Sequence, residues 1–216
     1  ADAAQGLVTV TNNSAADQFR PREESLARMR TELSDLKAQL DGLPKDELGL
    51  PPADAAIYAE SVELQLKMDW WPAAHFEKAA FTCLRWGRGV VAGMKADPNF
   101  MKSVSHLAPI GYRSKVDRSA QPYILALPDD YEPSATGPYR LVVLLHGAYG
   151  LACPMGSIAG TLSRAKDINP GAITVTPFGL ANGGYVWAAE TDVWDVIEDM
   201  KRRFPIDENQ IVLTGF

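Results

Sequence analysis

Tyr139-Arg140-Leu141-Val142-Val143-Leu144-Leu145-His146-Gly147-Ala148-Tyr149-Gly150 is the stretch that decides how this chain folds. Residues 141–145 are apolar without a break and too few for a helix, the pattern of a strand covered on both faces. A Gly-bearing turn follows at once, and in an open α/β sheet such turns lie at the carboxyl edge, where ligands bind. Downstream the period alternates: a helix over 157–166, a strand over 172–177, a helix over 188–204 and a strand over 210–214. Upstream, 111–116 and 121–127 read as two strands around the turn Asp117-Arg118-Ser119, and Pro128-Asp129-Asp130 closes the second. Strand alternating with helix predicts the α/β class, with a mostly parallel, doubly wound sheet and right-handed crossovers.

The first hundred residues have a different period. Residues 1–17 are small and polar and read as a flexible arm. After Pro21, Leu26, Met29, Leu33, Leu36, Leu40 and Leu43 recur at steps of three and four, an amphipathic helix that stops at 42–44. Its stripe suits packing on its own protein, with coiled-coil pairing as the alternative. A second helix is expected over 53–70 behind Pro51-Pro52, with Ile57, Ser61, Leu64 and Met68 on one face. A third follows Pro72 through Phe76, Ala79, Ala80, Cys83 and Leu84, and is expected to loosen at Gly87 and Gly89. The predicted organisation is an arm (1–17), a helical region (18–108) and an α/β region (109–216).

With 216 residues, 46% hydrophobic and 22% charged, the chain has a globular composition. A formal charge of -6 and the lack of a Lys/Arg cluster among aromatics argue against nucleic acid. No apolar run approaches the ~20 residues that cross a bilayer. The opening Ala1-Asp2-Ala3-Ala4 lacks an initiator Met and a signal peptide, so an exported protein, secreted or periplasmic, with its signal already removed is expected. Cys83 and Cys153 are too few for a disulfide scaffold, though an exported protein can join such a pair. No G-x-G-x-x-G follows the strands at Leu145, Pro177 or Thr214, and neither a cofactor nor a metal is implied.

Two strand ends carry chemistry. His146-Gly147-Ala148-Tyr149-Gly150 can aim backbone N–H groups into the crevice, as an oxyanion hole requires. Leu213-Thr214-Gly215-Phe216 places a Gly where a sharp strand-to-helix turn begins. With Gln121-Pro122-Tyr123-Ile124-Leu125-Ala126-Leu127-Pro128 and Leu144-Leu145-His146-Gly147, these stretches resemble an α/β-hydrolase. The likeness is to bacterial exported esterases related to the prolyl oligopeptidase and polyhydroxybutyrate depolymerase groups. It covers residues 111–216, the N-terminal half of such a domain.

The resemblance implies that Gly215 and Phe216 open a G-x-S-x-G nucleophile elbow, with Ser immediately after Phe216 and the triad acid and His further on. The C-terminal remainder of the same protein is then a partner of this chain. The oxyanion donors are expected from the backbone of Ala148 and Tyr149, with His146 and Gly147 shaping the turn. Tyr185 and Trp187 are candidates to stack on a sugar or phenolic ring of an ester substrate, small or polysaccharide, or else to pack in the ordinary way. Glu190 and Asp192 fit equally as charges near a helix N-terminus. His75 and His106 carry no signal, and Cys153 has no neighbouring His to activate it. The function implied is carboxylic ester hydrolysis through an acyl-enzyme. The alternatives are a prolyl oligopeptidase-like peptidase, disfavoured by the lack of propeller repeats, and a non-catalytic binding protein that uses the stripe near Leu33.

Overall fold

The computed structural model describes residues 18–103, 106–132, 138–147, 153–161, 169–181 and 183–215. Three helices come first: α1 (Glu23–Asp41), α2 (Ala53–Met68) and α3 (His75–Ala96). A short 3-10 turn, Phe100–Ser103, leads into β1 (Leu107–Arg113) and β2 (Ala120–Ala126). Then follow β3 (Tyr139–Leu145), α4 (Pro154–Ala159), β4 (Ala172–Pro177), α5 (Ala188–Arg203) and β5 (Ile206–Gly215).

The fold is α/β, and its five-stranded sheet has the order β1-β2-β4-β3-β5. β2 runs antiparallel to both its neighbours, whereas β3 is parallel to β4 and to β5. Four strands therefore share one direction, and helices cover both faces. On one face α2 packs on β1 and β2, and α4 packs on β2. On the other, Val193, Val196, Ile197 and Met200 of α5 meet Ile110, Tyr123, Leu125, Leu141, Val143, Ile173 and Val175. Coverage on both sides is why all seven residues of β2 are buried and why its sequence shows no polar alternation.

The helices follow local rules. Glu23 and Glu24 sit in the first turn of α1, where the helix dipole favours acid, and its end is capped by the Gly42 N–H donating to the Gln39 carbonyl and the Leu43 N–H to that of Leu40. Its stripe, Leu26 to Leu40, is buried within the chain's own core with α2 and α3. The coiled-coil alternative, and a partner docked near Leu33, are thereby overturned, since that surface is already occupied.

Four expectations need correction. α3 does not loosen at Gly87: a Cβ there would lie 2.8 Å from both Leu36 Cδ2 and Tyr58 Cβ, so the glycine marks where three helices press together. Leu64 and Met68 are exposed on α2, because its buried positions, Asp54, Ile57, Tyr58, Ser61, Val62 and Gln65, are set by the sheet beneath and the helices above. β1 starts at Leu107, passing through Pro109, which as an edge-strand residue lacks no ladder bond. β5 begins at Ile206, four residues before the expected start at Gln210, since pairing with Tyr139 extends it. The predicted helix over 157–166 corresponds to α4, whose start at Pro154 uses proline's preset φ; residues 162–168 lie outside the described ones.

A charged clamp joins the helical layer to the sheet around the β1 edge. Asp54 of α2 accepts from the Gly111 N–H at 3.0 Å, while Arg203 of α5 donates to Asp54 Oδ2 at 3.0 Å and to the Gly111 carbonyl at 2.9 Å. Asp199 ties in through Arg203 and through the Tyr123 hydroxyl at 2.9 Å. Burial works against the Arg203 charge, but Asp54 and Asp199 overcome it and hold the guanidinium firmly protonated. Gly111 has no room for a side chain, since a Cβ would stand 2.2 Å from the Ala53 carbonyl oxygen.

Candidate active site

β3 and β5 are parallel neighbours, with Leu145 opposite Gly215. The His146-Gly147 turn and the Gly215 tip therefore leave the sheet side by side at its carboxyl edge. The approach is tight: a Cβ on Gly215 would lie 2.6 Å from the Leu145 carbonyl oxygen. Ala148, Tyr149 and Phe216 lie outside the described residues.

The turn is fixed from several sides. The His146 backbone N–H donates to the Tyr185 hydroxyl at 2.9 Å, and the two rings meet edge-on with centroids 5.5 Å apart. On the imidazole, Nδ1 lies 2.9 Å from the Gly147 carbonyl and Nε2 lies 2.9 Å from the Phe178 carbonyl. The two nitrogens thus face backbone oxygens of the turn and of the loop after β4, and the one that carries the proton donates, so the ring bridges the two segments as a brace.

That loop is held in unusual backbone conformations. Positive φ occurs at Gly179, Leu180, Ala181, Gly184, Tyr185 and Trp187, with values between 47° and 78°. For the four that are not glycine this costs of order 1 kcal/mol each, strain that persists only where surroundings impose it and that tends to gather at functional sites. Tyr185, half-buried, spends its hydroxyl on His146 and lays its ring against Gly179. Trp187 precedes α5 and is 87% exposed, so its ring is open to a ligand.

Asp192 anchors the loop from below. It is fully buried, and its Oδ2 accepts from the Gly179 N–H at 2.7 Å while Oδ1 accepts from the Tyr112 hydroxyl. Burial pushes its carboxyl up to about 7; the Gly179 N–H opposes this and Asp195 adds repulsion. From sequence, Asp192 fits as a charge near a helix N-terminus, and Tyr112 and Gly179 carry no site signal. A signal was present: Asp192, Asp195 and Asp199 recur at helical spacing on the same buried stripe as Val193, Val196 and Met200. An acid on an apolar stripe is costly unless paired, so its position asks for a donor.

Cys83 and Cys153 are both buried free thiols. Each sulfur faces a carbonyl of the opposing segment, Cys83 that of Met155 at 3.7 Å and Cys153 that of Ser61 at 3.6 Å. Among the described residues no helix is long and apolar enough to cross a membrane.

No protein-family model and no curated protein sequence matches this chain. Solved structures that resemble it include esterases and hydrolases. A thermostable esterase is 21% identical over 51% of this chain and 34% of its own, with a TM-score of 0.35. A ferulic acid esterase from the anaerobic fungus Anaeromyces mucronatus is 20% identical, covering 53% and 51% of the two chains, with a TM-score of 0.35. An S-formylglutathione hydrolase from Staphylococcus aureus is 19% identical, covering 51% and 48%, with a TM-score of 0.32. The matched part spans about a third to a half of the length of these proteins.

Proposed function

We propose that this chain is part of a serine hydrolase that cleaves carboxylic esters through an acyl-enzyme. The observation that carries the proposal is the register of β3 and β5: Leu145 opposite Gly215 sets the His146-Gly147 turn beside the strand tip. In this reading a serine follows Phe216, and the backbone N–H groups of Ala148 and Tyr149 receive the oxyanion formed when its hydroxyl attacks the ester carbonyl. Donors placed where charge develops act mainly on the transition state, and losing one typically costs ~10²–10³ in turnover. Trp187 supplies an exposed ring for an aromatic or sugar portion of the ester, while Tyr185 serves the turn.

The proposal includes further polypeptide, the C-terminal remainder, that brings the triad acid and His. Among the described residues no strand lies outside β5, and Val212 and Leu213, 47% and 51% exposed, point to opposite faces of its edge. A strand with helical cover on both sides fits there.

The test is to assay the natural protein bearing this chain with p-nitrophenyl acetate and with a prolyl p-nitroanilide, and to treat it with a fluorophosphonate. Ester cleavage lost on fluorophosphonate modification of the residue after Phe216 is expected. Cleavage of the anilide alone makes it a peptidase, and modification of neither kind, with no turnover, refutes a serine hydrolase.

A further inference from the structure

We propose that Asp192 is a positioning residue for the His146-Gly147 turn, acting through the Phe178–Gly179 peptide and through His146. The inference deepens the esterase reading, on which its kinetic consequence rests; its structural content stands independently.

The peptide between Phe178 and Gly179 is gripped at both ends. Its N–H donates to Asp192 Oδ2 at 2.7 Å, and its carbonyl oxygen faces His146 Nε2 at 2.9 Å. An acid thus lies at the positive end of the peptide dipole and an imidazole nitrogen at the negative end, so each contact polarises the unit in favour of the other. The other carboxyl oxygen is taken by the Tyr112 hydroxyl from β1, and Asp192 itself is fixed in the second turn of α5. A path of hydrogen bonds therefore runs from α5 and β1, through one peptide, to the imidazole that also faces the Gly147 carbonyl.

Asp192 has no exposure and cannot touch a substrate. What it can do is set where the turn lies. The backbone donors assigned to Ala148 and Tyr149 come directly after Gly147, and a displacement of about 1 Å at such a group costs on the order of 10² in rate. The charged and titratable groups facing Asp192 are Tyr112 from β1 and Asp195 from its own helix, with His146 beyond the shared peptide.

Amide hydrogen exchange on the natural protein, resolved at His146 and Gly179, tests this without any assay of turnover. In Asp192→Ala, exchange at both amides is expected to rise about ten-fold, the loss of one buried hydrogen bond. Asp192→Asn, whose side-chain oxygen still accepts from Gly179, restores protection. Ester turnover should follow the same order, with kcat falling in the Ala variant and KM unmoved, because the donors act in the transition state. If Asp192→Ala does not fold, Tyr112→Phe keeps the acid and the ring while freeing Oδ1, and gives the same loosening in weaker form. Wild-type exchange at His146 in the folded variants overturns the proposal. Loosening at both amides in a protein that cleaves no ester upholds the brace and defeats only the hydrolase reading.

Discussion

Asp192→Asn exchanges a buried ionisable acid for a neutral group of the same shape, and the structure fixes how its effect must depend on pH. Burial raises the folded carboxyl from 3.8 to about 7, against the Gly179 N–H and with help from Asp195. Between those values the folded chain keeps a proton that the unfolded chain has released. The contribution to stability is therefore fully present below the unfolded value and is lost as pH rises through the folded one. Each pH unit climbed inside the window removes about 1.36 kcal/mol, so going from about pH 5 to about pH 8 costs the wild type about 3 kcal/mol through this group. Asn carries no such dependence. Urea denaturation of both proteins at the two pH values reads the difference directly, since other titrating groups cancel between variants that differ at one site. The stability gap should move toward Asn by about that amount as pH rises. A gap that stays constant, or moves against Asn, refutes the assignment of a desolvated acid at this position.

Three further outcomes are expected. Gly215→Ala should lower the stability of the natural protein by ~1–3 kcal/mol in thermal melts, because the new Cβ meets the Leu145 carbonyl oxygen at 2.6 Å and the strands must part to admit it. Arg203→Met should cost ~3–5 kcal/mol in denaturant titrations by stranding Asp54, and adding Asp54→Asn should recover much of the loss. Burial pushes the Cys153 thiol up to about 11 and Cys83 higher still, so a thiol reagent at neutral pH should modify neither until denaturant is added, and then both.

The central strands were legible because coverage on both faces writes itself as an unbroken apolar run at 141–145, and because 172–177 carries four consecutive β-branched residues, Ile173 to Thr176. The helix stripe of α1 was equally plain. What failed to show was anything decided by a crossing point. Gly87 looks like a breaker in one dimension and is a contact between three helices in three. The buried face of α2 is hidden for a related reason: a helix pressed between a sheet and two other helices has no single apolar face, so Ser61 and Gln65 are buried while Leu64 is exposed. At the site, the adjacency of the two glycine turns follows from strand order, which no local pattern encodes. Tyr185 stands out in the sequence as an aromatic of the right loop, but its bond to the His146 N–H depends on a left-handed backbone at residues distant from β3.

The two edges of the sheet differ in a way that makes the proposed continuation testable. At β1 the outward N–H and carbonyl of Gly111 are both taken, by Asp54 and Arg203, so an incoming strand finds them already bonded. At β5 the described residues offer no such cover, and Leu213 is half exposed on the same face as buried Val143, its register partner. A lysine at a bare surface position changes stability by no more than ~0.5 kcal/mol, whereas burying an unpaired charge against apolar neighbours belongs among the largest single-site losses, above ~4 kcal/mol. Leu213→Lys in the natural protein therefore separates the alternatives without reference to catalysis. A loss of several kcal/mol in urea denaturation means that further polypeptide packs over β5, as the hydrolase proposal requires. A neutral lysine means that the edge is bare, and then nothing packs where the triad acid and His would have to arrive.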